Sequence, residues 1–69
     1  MNQTILSDHL TVEIMDECER KFDAFSDSFL DEAVYYCISF IIKNAPSLVG
    51  HPEFTADSVK KYITEHFAL

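Results

Sequence analysis

The sequence predicts an all-α fold: a small three-helix bundle, completed by homodimerisation through its apolar middle helix. Three observations predict it. Met15, Cys18, Phe22, Phe25 and Phe29 recur at alternating three- and four-residue spacing, the signature of one helical stripe. Ala33 to Ile42 is apolar throughout except for Ser39, and a helix apolar on every side needs cover on every side. Both prolines and the single glycine fall in the stretch from Pro46 to Pro52, so the other segments carry no strong breaker.

Length and composition set the frame. A chain of 69 residues is one domain, 1–69. A domain this small buries only about 60% of its unfolded surface, so its stability margin is thin. Such scaffolds add disulfides, a metal or a partner chain. Nearly half the residues are apolar (48%), with six Phe and three Tyr, which is globular composition and not disorder. The net charge of −7 is uneven: residues 1–32 hold nine acids against two bases, and residues 33–69 hold three of each. Direct nucleic-acid binding needs cations to displace counterions from phosphates, and five scattered bases argue against it. Residues 1–10 lack the basic and apolar regions of a signal peptide. The apolar block of ten residues is about half of what a membrane span requires. A soluble, cytoplasmic protein without a membrane partner is expected.

The first helix is expected over about residues 8–25, with Ser7 or Thr11 capping its start and Ile14 beside the stripe. Ser26-Asp27-Ser28 is the favoured break, because Ser and Asp prefer caps and turns to helix interiors. Ser26 would cap the next helix, with Phe25 stapled onto Leu30. The alternative is one helix from Thr11 to Lys43, since Ala33, Tyr36 and Phe40 continue the stripe in phase. That rod would be about 50 Å long and would require a partner chain.

The middle helix is expected over 28–44. Its β-branched and aromatic residues have strand propensity, but no second strand is there to pair with them. Asp31 and Glu32 suit a first turn and Lys43 a last one. Asn44 or Ala45 ends the helix, because Pro46 disfavours helical geometry just before it. The connector, 45–54, brings Leu48 and Val49 inward as one short helical turn. The third helix, 55–67, starts on a Thr55 cap, with Phe54 stapled on Val59 and with Val59, Tyr62, Ile63, His66 and Phe67 facing inward. The expected core is Ile14, Cys18, Phe22, Phe25, Leu30, Val34, Cys37, Ile38, Ile41, Val59, Ile63 and Phe67.

Nothing in the chain assembles a reaction centre. His9, His51 and His66 fall in three separate segments, and no spacing brings them to Cys18, Cys37 or a serine. His9 and Glu13, four apart, are a solvated pair and not a metal site. His51 belongs to a turn, and His66 packs beside Tyr62. No enzyme, cofactor or metal is expected. The two cysteines are read as reduced, buried apolar side chains, with an intramolecular disulfide or redox switch as the alternative.

Two surfaces are candidates for function. At 100° per residue, Glu13, Asp16, Glu17, Asp23, Asp27 and Asp31 fall within about 120° of arc opposite the stripe. The last two join only if the helix continues past Ser26 or resumes in phase. Such a face would dock on a basic protein partner, and at its sharpest would imitate a phosphate backbone. Otherwise it is a solvated face that keeps the chain soluble. The second candidate is the apolar middle helix. Phe29, Tyr35, Tyr36 and Phe40 are expected at a homodimer seam, where Asp at Phe40 or Ile41 should dissociate the assembly. The leading function is a non-catalytic interaction module whose acidic first helix occludes a basic surface. The runner-up is a structural subunit or chaperone-like adaptor that binds through the middle helix. In size, acidity and lack of motifs the chain is similar to bacteriophage accessory proteins, among them inhibitors of nucleic-acid-binding proteins, and the profile names no family.

Overall fold

The predicted first helix is two. In the computed structural model, which describes residues 4–69, helix α1 spans Thr4–His9 and α2 spans Val12–Lys21. Between them Thr11 is extended (φ −70°, ψ 171°) and occupies the N-cap of α2 without a side-chain cap bond. The Leu10 N–H still reaches the Leu6 carbonyl, and the Met15 N–H reaches Thr11. This corner turns both Leu6 and Leu10 into the core, where they are fully buried. Neither was expected there, because they precede the 3,4,3,4 stripe.

Helix α2 stops four residues before its expected end. Phe22 is extended (φ −126°, ψ 148°), although its N–H still bonds the Cys18 carbonyl. The break near Ser26 is present and the continuous rod is not. The longest dimension of the molecule is 32 Å, well short of the roughly 50 Å that the rod requires. Polar side chains shape the turn: the Asp23 carboxylate accepts the Phe25 N–H (2.9 Å), and Ser26 Oγ accepts the Ser28 N–H (3.2 Å). Ser28, not Ser26, precedes the next helix, and it makes no side-chain cap bond. Phe25 is 97% exposed. It is therefore neither a core residue nor a staple on Leu30. The turn takes it off the helical stripe before it reaches the interior.

Helix α3 spans Phe29–Asn44, with Asp31 and Glu32 in its first turn and Lys43 in its last. Phe29, Ala33, Cys37 and Ile41, each four residues on, form its fully buried row. Leu30, Val34 and Ile38, expected inside, lie one position round the helix and are half-buried against the core. Ala45 closes the helix, and Pro46–Leu48 forms a single 3₁₀ turn. Leu48 turns inward as expected, whereas Val49 faces outward. Gly50 sits at φ +95°, the left-handed region open to glycine.

Helix α4 spans Ala56–Phe67. Thr55 Oγ1 accepts the Ser58 N–H (3.1 Å), so the predicted cap is formed. Thr55→Ala should cost about 1 kcal/mol and lower the midpoint of a circular-dichroism melt by roughly 4–8 °C. An unchanged midpoint would show that the cap contributes nothing to folding. Val59 and Ile63 are fully buried. The Phe67 ring stands edge-on to Phe29, with centroids 5.2 Å apart and planes at 86°. The Tyr62 hydroxyl donates to the Leu10 carbonyl (2.8 Å) across 52 residues of sequence. That bond satisfies the carbonyl at the α1–α2 corner and ties α4 to it. His66, expected inside, is exposed and lies against its neighbour Phe67, not Tyr62.

Candidate interaction surface

The six acids chosen from the sequence fall into two groups. Glu13, Asp16 and Glu17 share helix α2. Asp23 and Asp27 lie in the turn that follows, and Asp31 opens α3. The single helical face that would have aligned all six ends at Lys21. Within the first group Glu13 and Asp16 are exposed, while Glu17 is half-buried and paired with Arg20 one turn on. The hydrogen bond and charge of the Arg20 guanidinium hold the Glu17 carboxyl below its ordinary range. Being exposed to water, this pair contributes little to stability.

Both bases of this region are engaged. Arg20 is bonded to Glu17, and the Lys21 ammonium lies 5.8 Å from the centre of the Tyr36 ring. Exposed acids therefore dominate the surface of α2, the turn and the start of α3: Glu13, Asp16, Glu19, Asp23, Asp27, Asp31 and Glu32. Phe25 projects from the middle of the turn, flanked in sequence by Asp23 and Asp27. The sequence does carry a signal for this: a Phe bracketed by the turn formers Asp23 and Ser26-Asp27-Ser28 sits on a turn.

The seam residues also divide. Phe29 is 1% exposed, and its contact with Phe67 commits it to the core of its own chain. Tyr36 is half-buried, edge-on to Phe22 at 6.1 Å, and burial raises its hydroxyl pKa. Phe40 is half-buried against the core, and its carbonyl accepts from the Asn44 side chain (2.9 Å). Only Tyr35 of the four projects freely, at 76% exposure. Ile42, seven residues on and 51% exposed, lies on the same side of α3, with exposed Ser39 between them. The sequence reading missed Ile42, because an apolar block gives no internal contrast to mark which side is covered.

The histidines lie apart. His9 Nδ1 donates to the Ile5 carbonyl (3.0 Å) at the end of α1, and His51 Nδ1 accepts the Glu53 N–H (3.1 Å) in the connector. Among the described residues no three His, Cys, Asp or Glu side chains converge as metal ligands. Among them, too, no helix is long and apolar enough to cross a membrane. No protein-family model, curated protein or solved structure matches this chain.

Proposed function

We propose that this chain is a non-catalytic, stoichiometric binding module, acting in the cytoplasm, whose acidic half docks on and occludes a basic surface of another protein. One observation supports it above the rest: a Phe exposed to 97% stands in a region whose acids, apart from the paired Glu17, are exposed and whose two bases are both occupied. The acids would speed encounter with a basic partner, and the desolvated aromatic would lengthen the complex's life. A partner surface with that chemistry, cationic with an apolar hollow, is common where proteins bind nucleic acid. Inhibition of a nucleic-acid-binding protein is thus the sharpest form of the proposal.

The second reading is a homodimer or adaptor contact along α3. The exposed Tyr35 and Ile42 favour it, since an apolar strip on a charged surface is where partner chains settle. Salt separates the two readings. Wild type and the Glu13→Lys/Asp16→Lys variant, used as paired baits, should differ in one retained basic protein. Its affinity should fall steeply between low and about 0.5 M salt. Phe25→Ala should weaken the same complex by about 2 kcal/mol, roughly thirtyfold. A partner held equally by both baits and insensitive to salt would shift the function to the α3 strip.

A further inference from the structure

Cys18 lies in α2 and Cys37 in α3, 19 residues apart in sequence, with their sulfurs 3.8 Å from each other. Both are free thiols and both are fully buried. A disulfide bond is about 2.05 Å long, so roughly 1.8 Å of closure joins them. A shift of that size is within the range of side-chain torsions. The end of α2 is already held against α3 by Lys21 over the Tyr36 ring and by the contact of that ring with Phe22, the residue that follows α2. A crosslink at Cys18 and Cys37 would therefore lie along an existing helix–helix contact and impose no new one.

We propose that Cys18 and Cys37 form a reversible dithiol–disulfide couple, with a small hydroperoxide as oxidant, that locks the acidic helix α2 onto α3. Both sulfurs are fully buried, so oxidant and reductant alike reach them when α2 and α3 part locally. The two thiols are hydrogen-bonded to each other and either can donate, so either sulfur can attack first; with Cys18 leading, the steps run in this order. The Cys18 sulfur attacks one peroxide oxygen and the O–O bond breaks. The proton lost by Cys18 leaves with the displaced hydroxide as water, and Cys18 becomes a sulfenic acid. The Cys37 sulfur then attacks the Cys18 sulfur, the S–O bond breaks, and the departing hydroxide takes the Cys37 proton. In total the two thiols lose two electrons and two protons, and one peroxide becomes two waters. A thiol reductant reverses the bond by exchange. This device does not depend on which partner the acidic surface binds.

The full chain should be titrated with hydrogen peroxide under native conditions, alkylated, and read by intact mass and peptide mapping. The expected product is a monomer lacking two hydrogens, with Cys18 and Cys37 joined and both thiols recovered after dithiothreitol. Its melting midpoint should rise by about 10 °C or more, as a loop of roughly twenty residues closed in the unfolded state implies. Neither Cys37→Ser nor Cys18→Ser should form the crosslink; the remaining cysteine should instead gain one oxygen by intact mass, as a sulfenic acid that dimedone traps once the chain is unfolded, and the wild-type result stands if either variant does not fold. The proposal is overturned by oxygen added to one cysteine without a crosslink, by a disulfide between chains, by a bond that forms only in denaturant, or by thiols that stay free at peroxide levels that oxidise glutathione.

Discussion

Phe29→Ala should lower the unfolding free energy by about 3–5 kcal/mol, a large part of the 5–15 kcal/mol typical of a whole domain. Phe29 is among the largest fully buried side chains, begins the buried row of α3, and holds the Phe67 ring edge-on. Its removal leaves a cavity where the first turn of α3 meets the last turn of α4. In so small a core little material is available to collapse into it. Urea denaturation followed by circular dichroism measures the loss. Phe25→Ala, four residues earlier, is the internal control: at 97% exposure it should change stability by less than about 0.5 kcal/mol. Equal losses at the two positions would mean that the turn between α2 and α3 packs differently from the arrangement described.

These two phenylalanines also show what periodicity can reveal. The stripe treats Phe25 and Phe29 alike, because both fall within a narrow arc when helical phase is carried forward from Met15. Phase survives only while the chain stays helical. The extended Phe22 and the turn built on Asp23 and Ser26 reset it. After the turn α3 buries a row of its own, and Phe29 belongs to that row. The sequence did contain the cause, since Asp and Ser clusters favour turns, but not the angle at which the chain emerges. Segments bounded by strong local chemistry were legible: the Thr55 cap, the end of α3 before Pro46, and the inward Leu48 are all present. The α1–α2 corner was not. Thr11 has no glycine or proline beside it, and Leu6 and Leu10 gain their place through tertiary contacts, including the Tyr62 bond to the Leu10 carbonyl.

The candidate surface followed the same division. Charge is a property of composition, so the acidic character of the first half was legible without any fold. Which acids share a face depends on where α2 stops. The result is two acidic groups, the second of which has an exposed aromatic, Phe25, between its Asp23 and Asp27 in sequence. This arrangement makes Phe25 and the acids of the turn as strong a candidate contact as the acids of α2. The sequence alone weighted the helix, because a helical arc is what periodicity can draw.

Ile41→Asp should abolish the native fold, whereas Ile42→Asp should leave it intact. Adjacent residues on a helix point about 100° apart, and here that angle separates the core from solvent. Ile41 is fully buried in the row with Phe29, Ala33 and Cys37, and Ile42 is 51% exposed. Among the described residues no polar or charged residue is buried, so a carboxylate at position 41 would meet no partner inside. Its desolvation, several kcal/mol even after relaxation, together with the lost apolar side chain exceeds what a domain this small can absorb. Asp at Ile41 therefore cannot report on self-association, although the uniform apolar block makes it look suitable. Ile42→Asp and Tyr35→Asp are the informative changes, because they place charge on the open strip of α3 without entering the core. Sedimentation equilibrium at low and at about 0.5 M salt should show a salt-resistant dimer for wild type if copies meet along that strip. Each variant should then be a folded monomer with unchanged circular dichroism. A wild-type monomer at both salt concentrations removes the homodimer and leaves Tyr35 and Ile42 to a different chain. A variant that stays dimeric and folded moves the seam off this side of α3, onto the half-buried Tyr36 and Phe40.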